Sequence, residues 1–143
     1  MTLRIDYSIT PDFSIQFYGA PFVSAAKFYD FKEAANPTAE NYYERFSIFD
    51  NNRFNKDNFS FDFDSDGEFE FVLGNRDFNY KQFRSNLILR WEYIPGSVLF
   101  IVWSHEQNDY QNTGEFNALN DFKNLFKSIS NDNILIKFQY RFA

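Results

Sequence analysis

The residues best suited to chemistry form one acidic run over positions 62–70. Acids at its first, third and fifth positions, followed by glycine, match the start of a calcium loop, because the glycine turn lets alternate carboxylates converge on one hard cation. Leu73 stands where an EF-hand has its bidentate glutamate, so the weaker loops of extracellular proteins are the better comparison. We therefore predict calcium as the cofactor that this chain could hold, with these candidate ligands: Asp62, Asp64, Asp66, Glu68 and Glu70.

The same run also fits a plain acidic hairpin. Before residues 64–67, phenylalanine occupies every second position at Phe59, Phe61 and Phe63. After them, it does so at Phe69 and Phe71. Such alternation predicts two short strands around a turn at residues 64–67. A calcium loop and a solvated hairpin without an ion therefore both remain open.

Other residues that could support catalysis are few. His105 is the only histidine, so a catalytic triad or a histidine-rich metal site lacks members. Glu92 and Glu106 could act as a glycosidase pair, but nothing places them the required distance of roughly 5–10 Å apart. We predict no catalytic residues and no enzymatic activity.

A group of aromatic residues in the acidic region could bind sugars by stacking. The alternative is that these rings pack the region against itself. The residues are Tyr42, Tyr43, Phe46, Phe49 and Phe54.

Composition excludes further classes. The chain has no cysteine, which rules out disulfides and thiolate metal sites. Its net charge of −6 arises in residues 30–82, which hold twelve acidic and six basic residues. Such an acidic chain is a poor candidate for binding nucleic acid. Aromatic residues make up 22% of the chain, a share that suits β-strands and membrane interfaces.

The elements that position these residues are predicted to be β-strands. Apolar and polar residues alternate with a period of two in five stretches, which begin at Leu3, Phe13, Phe83, Ser97 and Ile134. The turns near Pro11 and at Pro95-Gly96 are short, whereas residues 30–82 and 110–132 form long connections. The second long connection contains a predicted helix near 119–129, where Leu119, Phe122, Phe126 and Ile129 follow helical spacing.

Short turns that alternate with long loops are typical of outer-membrane β-barrels. We therefore predict an all-β fold of antiparallel up-and-down strands from a transmembrane barrel, with one short helix in an external loop. Residues 30–82 are then a long acidic external loop, and Ala143 lies on the periplasmic side. Five strands cannot close a barrel, since known examples have at least about eight. The remaining strands must come from a longer chain or another subunit.

Alternation assigns two faces to the predicted strands. One face would contact the lipid bilayer, through Leu87, Leu89, Trp91, Tyr93, Ile136, Phe138, Tyr140 and Phe142. The other face would line the lumen, either as a substrate path or as a wall held rigid by salt bridges, through Arg4, Asp6, Arg84, Arg90, Glu92, Lys137 and Arg141.

The same pattern also describes a soluble antiparallel β-sandwich. In that fold the apolar face would be core and the charged face would be exposed to water. The alternative function is then a soluble binding module for carbohydrate, calcium or both.

Two segments carry a resemblance to a known family. Asn75-Arg-Asp-Phe-Asn-Tyr-Lys-Gln-Phe-Arg-Ser-Asn86 and Leu89-Arg-Trp-Glu-Tyr-Ile-Pro-Gly-Ser97 resemble the C-terminal end of large Bacteroidota outer-membrane proteins of unknown function. The N-terminal part of those proteins is similar to a family-nine carbohydrate-binding module. The resemblance implies a β-barrel in a Gram-negative outer membrane and an association with glycan binding or uptake. It implies no established activity, and no sugar site can be carried over, because that module has no counterpart in this sequence.

The start of the sequence has no signal peptide, because residues 1–6 lack a basic start and an apolar core. An outer-membrane protein must be exported, so we expect this segment to belong to a longer precursor.

Overall fold

The computed structural model describes residues 1–142; Ala143, predicted to be periplasmic, lies outside the described residues. The fold is mostly antiparallel β-structure with one short α-helix in this range, as predicted. The strands are β1 (Leu3–Thr10), β2 (Phe13–Ala26), β3 (Lys32–Ala34), β4 (Phe46–Ile48), β5 (Phe54–Asn55), β6 (Ser60–Phe61), β7 (Phe71–Val72), β8 (Phe78–Ile94), β9 (Ser97–Gln111) and β10 (Ser130–Gln139), and the helix is α1 (Ala118–Leu125).

The chain divides into two units. The first, called the sheet unit here, comprises residues 1–24, 79–111 and 116–143, and the second, called the loop unit, comprises residues 25–78 and 112–115. The five long strands form one open sheet in the order β1-β2-β8-β9-β10. Consecutive antiparallel strands in this order give the predicted up-and-down arrangement. Within the described residues β1 and β10 are its edges, so these five strands do not close on themselves.

The short turns meet at one end of the sheet unit. The backbone N–H of Glu92 donates to the Asp12 carbonyl at 2.8 Å, which joins the end of β8 to the first turn. The backbone N–H of Arg141 donates to Ser97 Oγ at 3.0 Å, so the residues after β10 reach the same end. Gly96 permits the second turn, because its φ of +81° suits glycine and a Cβ there would meet Arg141 Cδ at 2.5 Å.

Helix α1 is shorter than predicted and buries a different side. It ends at Leu125 rather than near Ile129, because the backbone N–H of Ser128 bonds the Leu125 carbonyl at 3.0 Å in a tighter turn. Its buried residues are Asp121 and Leu125, whereas Leu119 is 86% exposed. Among residues 1–142, no α-helix combines the length and the apolar character that a membrane span requires.

The loop unit has its own small core, although the sequence predicted a long loop over most of it, with a hairpin around residues 64–67 as one possibility. Strand β3 pairs with β4, and β5, β6 and β7 form a second small sheet. Rings from several of these elements contact one another at centroid distances of 5.0–6.5 Å. The residues are Phe31, Phe49, Phe54, Phe59, Phe61, Phe63 and Phe71.

Candidate functional site

One face of the sheet unit carries apolar side chains in continuous rows across three strands. Residues directly opposite each other in an antiparallel pair project from the same face, so the strand register fixes these rows. They are Leu87–Trp103–Ile134, Leu89–Ile101–Ile136 and Trp91–Leu99–Phe138. Trp91 is 50% exposed and Phe138 is 64% exposed, so this face, called the apolar face here, is largely uncovered.

The remaining residues predicted to face lipid extend this surface toward the turns. The Tyr93 ring stacks on Phe138 with centroids 5.5 Å apart. Tyr140 and Phe142 follow β10, are exposed, and contact each other at a centroid distance of 5.0 Å. Aromatic rings therefore concentrate at the turn end of the apolar face.

Charged residues project from the opposite face, called the polar face here. Most of them pair with a neighbour: Arg84 Nε lies 3.0 Å from Glu106 Oε1, and Arg90 Nη2 lies 2.9 Å from Glu92 Oε2. On β1, Arg4 Nε lies 3.1 Å from Asp6 Oδ2. These contacts fit the interpretation of a rigid, salt-bridged wall better than a row of unpaired charges.

Other predicted lumen residues lie on the same polar face. Lys137 is opposite Phe100 in the register, and its Nζ is 5.9 Å from that ring centroid. Arg4 and Asp6 line a cavity together with Gln16 and Asn86. The polar face therefore extends from β1 and β2 to β8. Arg141 packs against Gly96 at the turn end. The structure thus gives the strands one apolar side and one side on which charged residues flank the apolar row Ile88–Val102–Leu135.

A buried charged cluster, which the alternation of the strands did not predict, lies at the other end of the apolar face. The side chain of Lys81 is fully buried, with Nζ 2.8 Å from Asp109 Oδ2 and 3.7 Å from Asp121 Oδ1. Asn79 donates to Asp121 Oδ1 at 3.0 Å. The cluster fixes α1 to β8 and β9. Continuing the alternation backward from Phe83 would have placed Lys81 and Asn79 on this face.

A polar row separates this cluster from the apolar rows. Asp132 Oδ1 accepts from Trp103 Nε1 at 2.8 Å and lies 2.7 Å from His105 Nδ1. Ser85, opposite His105 in the register, is buried beside it. His105 is thus part of a hydrogen-bonded row with Asp132, and within residues 1–142 no hydrogen bond joins it to Ser85.

The acidic run forms the loop of a hairpin in the loop unit, where Phe61 pairs with Phe71. Carboxylate oxygens of four of the five predicted ligands lie within 4.8 Å of one another: Asp62, Asp64, Asp66 and Glu70. Two oxygens on one calcium ion can be at most about 5 Å apart, since each bond is about 2.3–2.6 Å long. The spacing therefore fits calcium, whereas Glu68 lies outside the group.

Backbone hydrogen bonds hold these carboxylates in place. Asp62 is buried, and its two oxygens accept from the backbone N–H groups of Ser65 at 2.6 Å and Gly67 at 3.0 Å. Asp64 Oδ1 accepts from Asp66, and Glu70 Oε2 accepts from Phe63. The second oxygens of Asp64 and Glu70 accept no hydrogen bond within residues 1–142. These oxygens could face a cation.

Electrostatic repulsion within the group shows in the pKa of Asp64. The backbone N–H of Asp66 lowers this pKa, but partial desolvation and the charges of Asp66, Glu70 and Asp62 outweigh that bond, so the pKa is raised overall. Arg53 supplies part of the positive charge that balances these carboxylates. It bonds both Glu33 oxygens, at 2.7 and 3.2 Å, and these bonds raise its own pKa.

The predicted sugar-stacking residues divide into two groups. Phe49 is buried in the core of the loop unit, and Phe54 contacts Phe59 and Phe61 there, so both have a packing role. Tyr42, Tyr43 and Phe46 instead form an exposed cluster, with the ring of Tyr42 5.7 Å from Tyr43 and 5.5 Å from Phe46. Only this second group could stack on a sugar.

The one carboxylate pair considered for glycoside hydrolysis does not come together. Glu92 is opposite Val98, and Glu106 lies eight residues further along β9. At about 3.4 Å per residue the two are roughly 27 Å apart along the strand, well beyond the range of such a pair.

Residues 32–142 match the profile of a family described as a domain of unknown function (DUF5916). No curated protein and no solved structure shows significant similarity to the chain.

Proposed function

Because the chain belongs to the DUF5916 family, whose domain has no assigned function, we propose from its structure that it supplies strands to a β-barrel in a Gram-negative outer membrane. Its role there would be that of a scaffold or conduit associated with glycan binding or uptake. The resemblance of the segments around Phe83 and Ser97 supports a Bacteroidota cell as the source.

One observation carries the membrane proposal. The strand register aligns apolar side chains in unbroken rows on one face of the sheet, while the other face carries ion pairs on either side of a single apolar row, Ile88–Val102–Leu135. In water, an uncovered face of this kind would promote aggregation. In a barrel wall, the apolar side contacts acyl chains and the charged side contacts the lumen.

The soluble sandwich is less well supported. A sandwich requires a second sheet against the apolar face, with its side chains sealed between the two sheets. The sheet unit contains one sheet, and Trp91 and Phe138 are at least half exposed.

The two tryptophans provide a direct test of the membrane proposal. Trp91 and Trp103 are the only tryptophans and both project from the apolar face. The full chain is folded into vesicles whose acyl chains carry bromine, which quenches indole fluorescence on contact. We expect strong quenching in both W91F and W103F, each of which retains one tryptophan.

The control moves the fluorophore to the polar face. In a chain with Trp91→Phe, Trp103→Phe and Phe100→Trp, the only indole stands opposite Arg90 and Lys137 in the register. We expect little quenching there. A chain that folds without vesicles, or that shows equal quenching on both faces, would contradict the proposal.

A specific observation supports the glycan association. Tyr43 is 84% exposed and belongs to a cluster with Tyr42 and Phe46. Exposed aromatic faces stack on the apolar faces of sugar rings. The test is binding of the full chain to a panel of polysaccharides, with Tyr43→Ala as the variant and Tyr29→Ala, also an exposed tyrosine of the loop unit, as the matched control. Binding that is absent, or that both variants reduce equally, would count against the association.

A further inference from the structure

Helix α1 covers one end of the same face that carries the apolar rows. Asn79 and Phe83 project from this face, since they alternate along β8 with Leu87. Asn79 bonds Asp121, and the Phe83 ring lies 5.4 Å from the Phe126 ring. Gln107, opposite Phe83 in the register, donates to the Ser128 carbonyl at 3.0 Å. The helix and the turn after it therefore continue the apolar face beyond its last row.

The outward side of residues 116–129 carries apolar side chains and two lysines. Leu119 and Phe126 share one side of the helix, opposite Asp121 and Leu125, as the period of 3.6 residues requires. Leu119 is 86% exposed and Ile129 is 96% exposed. Most of the surface of these two side chains is therefore exposed, whereas Phe126, which is 55% exposed, also contacts Phe83.

The local charge of the segment differs from that of the whole chain. The chain has a net charge of −6. Between residues 116 and 129, however, the only acid is Asp121, which is buried against Lys81, while Lys123 and Lys127 are exposed. The outward side of α1 is therefore positive.

The polar row that lies between α1 and the apolar rows has the composition of a membrane interface. It contains Ser85, His105 and Asp132, and the indole N–H of Trp103 bonds Asp132 from the adjacent apolar row. Tryptophan with its ring in an apolar layer and its N–H at a polar group is typical of the headgroup level. If this row lies at that level, α1 lies against the headgroups.

We infer that α1 and the turn to Ile129 bind the headgroup layer of the outer leaflet. Leu119, Phe126 and Ile129 enter the layer, and Lys123 and Lys127 contact anionic lipid phosphates. This inference rests on the proposed barrel function and deepens it, because it assigns a lipid-binding role to an external loop. The segment is continuous with the apolar face and carries positive charge. Both features are typical of helices that lie in a membrane interface.

The absence of native cysteine permits an environment-sensitive fluorophore to be attached at single sites of the full chain. Leu119→Cys reports on the helix, and Ile136→Cys reports on the apolar face. Asn131→Cys is the control, because Asn131 is exposed on β10 opposite Glu106, on the polar face. Each labelled chain is folded into vesicles of phosphatidylcholine, with or without phosphatidylglycerol.

We expect quenching by acyl-chain nitroxides at position 136, quenching by headgroup nitroxides at position 119, and neither at position 131. If position 136 is in lipid while position 119 is as exposed to water as position 131, the inference about α1 is overturned and the barrel proposal stands. If position 136 is also in water, both are overturned.

The lysines are tested separately. An interfacial lysine contributes about a fivefold preference for an anionic surface. Replacing Lys123 and Lys127 with Gln should therefore remove most of the additional headgroup quenching at position 119 that phosphatidylglycerol produces. The matched control replaces Lys32 and Lys56, two exposed lysines of the loop unit, with Gln. Equal loss in both double variants would show a general charge effect and overturn the role of the two lysines.

Discussion

At the scale of single residues, the acidic hairpin permits a sharp test of calcium binding. Four of the predicted ligands converge and Glu68 does not. We therefore expect calorimetric titration of the full chain to show calcium binding with a dissociation constant of about 10⁻⁴–10⁻³ M, the range of weak extracellular sites. Asp66→Asn should weaken it at least tenfold, because one charged ligand is lost.

Glu68→Gln removes the same charge from the same hairpin and serves as the control. It should leave the affinity nearly unchanged. No measurable heat, or equal loss in the two variants, would show that the acids form a solvated hairpin and not a metal site.

The raised pKa of Asp64 makes the stability of the loop unit depend on pH. A carboxyl whose folded pKa exceeds its unfolded value favours folding at low pH, and this contribution is lost as the pH rises through the folded pKa. The pKa of Asp64 in the folded protein lies above the ordinary value for aspartate. Asp64→Asn should therefore increase amide-exchange protection over residues 25–78 at neutral pH and have little effect below the ordinary pKa of Asp. An increase of the same size at both pH values would contradict this explanation.

At the scale of elements, the buried cluster under α1 determines whether that helix stays docked. Lys81→Met leaves Asp109 and Asp121 facing each other without their cation, and breaking a buried pair costs roughly 3–5 kcal/mol. We expect amide exchange over residues 118–125 to accelerate by two orders of magnitude or more in the folded protein. Lys123→Met, at an exposed position of the same helix, should change little.

The elements also show what the sequence could predict. Period-two alternation located four of the long strands, because most of their length is apolar on one face and polar on the other, and β9 was located although residues 98–103 are apolar on both faces. It missed the first residues of β8 and β10, since Asn79, Lys81 and Asp132 project from the apolar face and interrupt the pattern. Their burial depends on α1 and on contacts that are distant in sequence.

Prediction was weaker in the loop unit for a related reason. Its strands are only two or three residues long, and alternation indicated only the hairpin in which Phe61 pairs with Phe71. They are held by contacts such as Phe31 with Phe61 and Phe49 with Phe63. The acidic motif was recognisable from spacing alone, but the exclusion of Glu68 depends on how the backbone turns after Gly67, which is at a φ of +91°.

At the scale of the whole molecule, strand direction restricts what can pair with the sheet edges. β1–β2, β8–β9 and β9–β10 are antiparallel pairs. β2 also runs opposite to β8, because the residue before β2, Asp12, bonds Glu92 near the end of β8, while Phe22 near the end of β2 contacts Tyr80 near the start of β8. Strands β1 and β10 therefore run in the same direction. Neighbouring strands of bacterial outer-membrane barrels are antiparallel. Two copies inserted in the same orientation would have to join β10 to β1 as a parallel pair. An odd number of further strands must therefore separate the two edges.

This geometry predicts that copies of the chain do not join edge to edge in a membrane. Ser8→Cys on β1 and Asn133→Cys on β10 are exposed on the two edges, and oxidation of the two variants mixed in vesicles should yield no disulfide between them. The control is Ser8→Cys with Ser14→Cys in one chain, which are opposite each other between β1 and β2 and should cross-link efficiently. A high yield between copies would mean that the strands assemble in a way that outer-membrane barrels do not, and the proposal that these edges accept antiparallel strands from elsewhere would fail.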